Sequence, residues 1–130
     1  MRILLTGGAG FIGSACLVAL LKRGDDVAVV DAFEDTLYDR HIKEANLRWA
    51  RQHGHFDFHE VDLRNREAMT ALLRHAQPEL VLHLGAVAGV RASIAKAPYY
   101  FDVNVTGTAQ LFELSRAVGV KNYVLASSSS

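Results

Sequence analysis

Short apolar runs alternate with longer amphipathic stretches along the chain, and this alternation predicts strands that alternate with helices. Each apolar run is too short for a helix and is flanked by turn-forming or charged residues, so it is interpreted as a buried strand. The predicted strands are 3–5, 27–30, 56–61, 80–84 and 123–126.

Four stretches carry apolar residues at helical spacing, and each predicts a helix with one face towards the core. The predicted inward-facing sets are Ile12, Cys16, Ala19 and Leu20; Ile42, Asn46, Trp49 and His53; Met69, Leu72, Leu73 and Ala76; and Val103, Gly107, Leu111, Leu114 and Val118. Asn65 is the expected N-cap of the third helix, and Pro98 opens the fourth, which Gly119 ends. A loop is expected from 85 to 97.

Strands separated by helices predict parallel pairing with right-handed crossovers. Because the strands are apolar throughout, both faces of the sheet are expected to be covered. The predicted fold class is α/β, a Rossmann-type doubly wound parallel sheet of five strands in the order 3-2-1-4-5. Its binding crevice is expected at the carboxyl ends of strands one and four. Residues 1–130 are assigned to one nucleotide-binding domain.

The composition removes several classes of function. Lys plus Arg and Asp plus Glu number 14 each, so no basic excess points to nucleic acid. No apolar run approaches the length of a membrane span, and the histidines show no metal-ligand spacing. The single cysteine, Cys16, cannot form an internal disulfide, which favours a cytoplasmic location.

Three glycines follow the first predicted strand and open the first helix. Gly7 suits a tight turn, Gly10 allows a pyrophosphate to approach the backbone, and Gly13 allows close packing of helix against strand. The helix N-terminus offers unpaired N–H groups to phosphates. A turn without a ligand is the alternative interpretation of the same residues.

Two acidic positions end neighbouring strands. Asp31 lies 18 residues beyond Gly13, where a carboxylate binds an adenosine ribose and repels a 2′-phosphate. Since no arginine immediately follows Asp31, NAD is favoured over NADP. Asp62 and Leu63 close the third strand and are candidates for adenine contact. Solvated strand-end or turn aspartates are the alternatives at both places.

These pieces resemble the N-terminal part of the extended short-chain dehydrogenase/reductase family, the NAD-dependent sugar-nucleotide epimerases and dehydratases. The matching motifs are Thr6–Gly13, Val30–Asp31, Asp62–Leu63, His83–Ala86, Asn104–Thr108 and Ala126–Ser130. Within the family, 31–33, 37–39 and 88–93 are similar to the UDP-glucuronate 4-epimerase branch. Those enzymes oxidise the sugar at C4 with bound NAD, let the keto intermediate rotate, and re-reduce it.

The resemblance implies roles for individual residues. The implied cofactor-binding residues are Gly7, Gly10, Phe11, Ile12, Gly13, Asp31, Phe33, Asp62, Leu63, Leu84, Ala86 and Asn104, the last steadying the backbone of the active site. Ser128 is the implied catalytic residue, which hydrogen-bonds the reacting hydroxyl of a UDP-sugar. Arg91, Ser129 and Ser130 are implied in substrate binding, and the resemblance also implies a homodimer.

The family's Tyr-x-x-x-Lys pair is absent, because none of the four tyrosines has a lysine four residues later. We therefore expect the sequence to be the truncated cofactor half of a larger enzyme, inactive by itself and without the substrate domain. Alternatives within the class are a UDP-glucose 4-epimerase and a nucleotide-sugar dehydratase or decarboxylase. A non-catalytic nucleotide-binding sensor module is the alternative from another class.

Overall fold

The computed structural model describes residues 1–128, which form an α/β structure around one parallel sheet. The strands are β1 (Arg2–Thr6), β2 (Asp26–Asp31), β3 (Asp57–Glu60), β4 (Leu80–His83) and β5 (Asn122–Leu125). They pair in the order β3-β2-β1-β4-β5, and every neighbouring pair is parallel. The predicted fold class and strand order are confirmed.

Helices connect successive strands on both faces of this sheet. They are α1 (Phe11–Arg23), α2 (Arg40–Arg51), α3 (Arg66–Ala76), α4 (Val90–Ala95), α5 (Ala97–Phe101) and α6 (Thr108–Ala117). A π-helical segment, Asp102–Gly107, joins α5 to α6. None of the helices formed by residues 1–128 combines the length and the apolar character that a bilayer crossing requires.

The core consists of two layers, one on each face of the sheet. Because side chains alternate along a strand, Leu5, Val27 and Val29 pack with α1 and α2 on one face. Leu4 and Val30 pack with α3 and α6 on the other face. This two-sided burial explains why the strands are apolar at consecutive positions.

The predicted inward face of α1 is wrong. Ile12 is 65% exposed, Ala19 is also exposed, and Cys16 and Leu20 are only partly buried. The buried face consists of Gly13, Ser14, Leu17, Val18 and Leu21. Almost every position of this helix is apolar or small, so the pattern did not fix its rotation. The close approach of Gly13 to the carbonyl of Gly7 fixes it instead.

The predicted inward face of α2 is also wrong. Ile42 and Trp49 are 42% and 43% exposed, whereas Lys43, Leu47 and Ala50 are buried. Both sets obey helical spacing, and the sequence interpretation favoured the one with the larger apolar side chains. Lys43 is buried because the carboxylate of Asp31 lies 3.4 Å from its ammonium.

The other two helical regions follow the predicted faces. Met69, Leu72 and Leu73 of α3 are buried, as are Gly107, Leu111 and Leu114 in the long helical region after residue 97. The expected loop from 85 to 97 is wrong in part, since α4 occupies its middle. No residue of α4 is buried, so no apolar periodicity marks this helix in the sequence.

Replacing Asn65 tests the capping of α3. Its side-chain oxygen accepts a hydrogen bond from the backbone N–H of Ala68 at 3.1 Å. We expect Asn65→Ala to lower the free energy of unfolding by about 1 kcal/mol, the usual cost of a lost N-cap. Urea denaturation measures this, and Asn65→Ser, which keeps a capping oxygen, is the matched control. Equal losses in both variants would contradict the capping role.

Candidate nucleotide-binding site

A cavity of about 310 Å³ lies at the carboxyl edge of the sheet, where β1 and β4 end side by side. Its wall includes these residues predicted to bind a cofactor: Gly7, Gly10, Phe11, Ile12, Gly13, Asp31, Asp62, Leu63, Leu84 and Ala86. Thr6, Lys43, Tyr99 and Ala126 also line it. The predicted position of the crevice is confirmed.

The glycines between β1 and α1 are required by close backbone contacts. Gly7 has φ +71°, and a Cβ on it would lie 2.8 Å from the backbone N of Gly85. A Cβ on Gly13 would lie 2.0 Å from the carbonyl oxygen of Gly7, which only glycine permits. Gly10 has no side chain to cap α1 or to fill the adjacent space. The loop therefore keeps bare backbone at the cavity wall.

The amino end of α1 forms part of this wall. The first intrahelical bond shown there runs from the N–H of Ser14 to the carbonyl of Gly10 at 2.9 Å. The N–H groups of residues 11–13 have no intrahelical hydrogen-bond acceptor, as at every helix start, and are called the bare amides below. Phe11 is 79% exposed although it is apolar, which suits a ligand contact better than core packing. The arrangement can bind a diphosphate through N–H groups and the positive helix end.

Asp31 ties the glycine loop to the end of β2. Its side chain is 6% exposed, so the interpretation as a solvated strand-end aspartate is wrong. One carboxylate oxygen, Oδ2, accepts from the N–H of Ala9 at 3.1 Å, and Oδ1 accepts from the N–H of Phe33 at 2.9 Å. A buried carboxylate so fixed presents its remaining acceptor capacity to the cavity that it lines.

Helix α2 adds two polar contacts that the sequence analysis did not assign. The ammonium of Lys43 lies 3.4 Å from Oδ1 of Asp31. The amide of Asn46 donates to the carbonyl of Ala9 at 2.9 Å. The spacing of Lys43, Leu47 and Ala50 was the available signal, but a lysine is an unusual choice for an inward face.

Asp62 is held by Arg64, two residues further along the chain. The guanidinium of Arg64 donates to Asp62 at 2.6 Å and to Asp102 at 2.9 Å, and it lies over the ring of Tyr99. These hydrogen bonds lower the pKa of the Asp62 carboxyl. Leu63 is buried, and its carbonyl accepts from the side chain of Gln110. Arg64 therefore anchors this part of the wall to the helical region after residue 97.

The loop after β4 is held by side chains from the same helical region. Asn104 clamps Val87, accepting from its N–H at 2.8 Å and donating to its carbonyl at 2.9 Å. The hydroxyl of Tyr100 donates to the carbonyl of Ala88 at 2.6 Å. Asn104 thus contacts backbone, as the resemblance implies, but its side chain is not part of the cavity wall.

Other predicted site residues lie outside the wall. Phe33 is buried against Phe58, with ring centroids 5.2 Å apart, and is not among the lining residues. Arg91 is exposed on α4, and Ser128 is exposed beyond β5; neither lines the cavity. Ser129 and Ser130 lie outside the described residues. Residues 1–128 hold no cluster of three or more histidine, cysteine or acidic side chains suited to a metal ion.

His83 connects the cavity floor to α6. Its Nδ1 is 2.6 Å from the hydroxyl of Thr6, and its Nε2 is 2.9 Å from the hydroxyl of Thr108. The Thr6 hydroxyl also accepts from the N–H of Gly85 at 3.0 Å. With Thr6 donating to Nδ1, the Nε2–H donates to Thr108, so a neutral ring satisfies every partner. Burial lowers the pKa of His83 to about 4.

The sheet order, the bare helix amides and the strand-end carboxylate together define a dinucleotide-binding α/β protein of the Rossmann class. The family model described as GDP-mannose 4,6 dehydratase matches residues 4–130. The chain belongs to this family of NAD-dependent epimerases and dehydratases.

Individual relatives are nucleotide-sugar 4-epimerases. A UDP-glucuronate 4-epimerase of Thermodesulfobacterium geofontis is 42% identical over 127 residues, which are 98% of this chain and 39% of the relative. A UDP-glucose 4-epimerase of Klebsiella pneumoniae is 39% identical over 128 residues, covering 98% of this chain and 89% of the relative.

Solved structures of similar fold are also nucleotide-sugar 4-epimerases. The UDP-glucuronic acid 4-epimerase of Bacillus cereus, in complex with UDP-glucuronic acid and NAD, has a TM-score of 0.86 at 34% identity. The match covers 100% of this chain and 41% of that one. A UDP-glucose 4-epimerase of Stenotrophomonas maltophila with bound NAD has a TM-score of 0.84 at 33% identity, covering 99% and 37%. The chain thus spans about two fifths of these solved relatives.

The pH dependence of stability tests the environment of His83. Because the folded-state pKa of about 4 lies below the ordinary value near 6.5, the neutral ring stabilises fully above about pH 6.5. This contribution is lost as the pH falls from about 6.5 towards 4, by at most about 3 kcal/mol. Urea denaturation across this range should show a steeper loss for the natural chain than for His83→Gln. Parallel curves would show that His83 is not the group responsible.

Proposed function

We propose that this chain is the NAD-binding part of a UDP-glucuronate 4-epimerase. The observation that carries the proposal is that one cavity is lined both by the start of α1, with its bare amides, and by Asp31, whose carboxylate is buried. The first element suits a pyrophosphate and the second suits the adjoining ribose.

The residues present fit NAD. Gly10 carries no side chain beside the amino end of α1, while Gly7 and Gly13 allow the tight turn and the close helix packing that keep backbone amides at the cavity wall. Asp62 and Leu63, which line the cavity, are proposed to contact the adenine, and Leu84 and Ala86 are proposed to line the path towards the nicotinamide. NAD held by these residues would supply the chemistry of reversible hydride transfer at C4 of the sugar.

The substrate assignment rests on similarity rather than on the cavity. The Thermodesulfobacterium relative and the Bacillus structure support UDP-glucuronate, and the motifs at 31–33 and 88–93 agree with that branch. The Klebsiella relative and the Stenotrophomonas structure favour UDP-glucose as the second candidate. In either case Ser128 is proposed to hydrogen-bond the reacting hydroxyl, with Arg91, Ser129 and Ser130 proposed as substrate contacts.

A homodimer of the whole protein is also proposed. Phe101 and Val105 are 70% and 54% exposed. They lie four residues apart, about one helical turn, in the helical region after residue 97. Exposed apolar side chains at this spacing suit an interface between two such helices. Analytical ultracentrifugation of the whole protein would test the assembly.

Removing the Asp31 carboxylate tests the ribose assignment. We expect Asp31→Ala to weaken NAD binding about tenfold or more, because hydrogen bonds from ribose hydroxyls to a charged acceptor are lost. Isothermal titration calorimetry measures the affinity, and circular dichroism verifies the fold. Asp26→Ala, an exposed carboxylate at the start of the same strand, is the matched control. Equal affinities for all three proteins would remove Asp31 from the site.

Incubation with substrate tests the division of function between this chain and the rest of the enzyme. A catalytic tyrosine needs a neighbouring lysine to lower its pKa, and residues 1–130 contain no Tyr-x-x-x-Lys pair. We expect no epimer when the chain is incubated with UDP-glucuronate and NAD and the products are separated by chromatography. Chain-dependent conversion above the background without protein would refute the expectation that residues 1–130 are inactive by themselves.

A further inference from the structure

Lys43 is a buried cation in the wall of the cavity. It lies on α2 opposite the end of β2, and its side chain is 11% exposed. Lysine is rarely buried to this extent without a partner, because removing an ammonium from water is costly. The partner shown is Oδ1 of Asp31, at 3.4 Å from the Lys43 Nζ.

This partner does not use the full donor capacity of the ammonium. Lys43 has three N–H groups, and a distance of 3.4 Å exceeds the usual N–H···O range of about 2.7–3.2 Å. Oδ1 of Asp31 is already fixed at 2.9 Å by the N–H of Phe33. The ammonium therefore keeps donors for an oxygen that enters the cavity beside the carboxylate.

No other basic side chain in residues 1–128 lines this cavity. Arg40, close by in the chain, donates to Glu44 and Glu60 instead. Arg64 is committed to Asp62 and Asp102. The acidic residues in the wall are Asp31, Glu34 and Asp62. Lys43 is thus the positive charge that offsets Asp31 at the position proposed for the ribose.

We propose that Lys43 is a cofactor-specificity residue, which donates to a ribose hydroxyl beside Asp31 and weakens the site's rejection of a 2′-phosphate. The inference rests on the proposed NAD site. A carboxylate alone repels a 2′-phosphate, whereas an adjacent ammonium attracts it and pairs with its oxygens. The Asp31–Lys43 pair therefore discriminates less between NAD and NADP than Asp31 alone does.

Titration of NAD and NADP against charge-altered variants tests this proposal. The variants are Lys43→Met, which removes the ammonium, Lys43→Gln, which keeps a neutral donor, and Lys43→Arg, which keeps the charge. Lys22→Met, an exposed lysine of α1, is the matched control. Affinities come from calorimetry, and thermal unfolding identifies the variants that remain folded.

We expect Lys43→Met to weaken NAD binding, and to weaken NADP binding about tenfold more than NAD binding, the effect of one lost charge-assisted interaction. Lys43→Arg, which keeps the positive charge and can pair with a phosphate through two N–H groups, should keep or raise the NADP-to-NAD affinity ratio of the natural chain. Lys43→Gln should shift the ratio in the same direction as Lys43→Met, and it supplies the comparison where the methionine variant does not fold.

Two results would overturn the proposal in different ways. An unchanged affinity ratio in the folded neutral variants would show that Lys43 does not affect the discrimination between NAD and NADP, while the proposed NAD site would stand. Failure of the natural chain to bind either dinucleotide would remove the NAD site itself, and the inference with it.

Discussion

The carboxylate of Asp31 holds three parts of the chain together at the carboxyl edge of the sheet. It accepts hydrogen bonds from Ala9 in the glycine loop and from Phe33 in the segment that follows β2. It also pairs with Lys43 of helix α2. The glycine loop in turn sets the direction of α1, because Gly13 packs against the carbonyl of Gly7. The bare amides and the carboxylate face one cavity as a consequence of these contacts, and the proposed function depends on that arrangement.

A second group of contacts holds the opposite wall of the cavity. Side chains after residue 97, Asn104 and Tyr100, bond to the backbone that follows β4, while His83 links Thr6 to Thr108. Polar groups that are buried and satisfied in this way resist displacement, since breaking one leaves its partner without a hydrogen bond. The cavity therefore has a preformed wall on each side, which lowers the ordering cost of binding a ligand.

The strands and the glycine loop were predictable because local sequence marks each of them, and the strand order followed from the rules that connect alternating strands and helices. Apolar runs identify strands that are covered on both faces. The spacing of glycines between a predicted strand and a predicted helix identifies the glycine loop without knowledge of any distant contact. Helix rotation was not predictable in the same way. Lys43 is buried and Trp49 exposed because Asp31 lies across from α2, a contact between residues distant in sequence. Helix α4 was not predictable either, because none of its residues is buried. The anchoring role of Arg64 depends on its hydrogen bond to Asp102, which is distant in sequence, as well as on the one to Asp62.

The central claim is that backbone amides at the start of α1 bind the diphosphate of NAD. Two-dimensional NMR of the ¹⁵N-labelled chain during addition of NAD follows these amides one by one. We expect saturable shifts for the amides of Gly10, Phe11, Ile12 and Gly13, with smaller changes at Ala32, Lys43 and Leu63, which line the same cavity. Unshifted amides in the 7–13 segment, while NAD binds elsewhere or not at all, would contradict it.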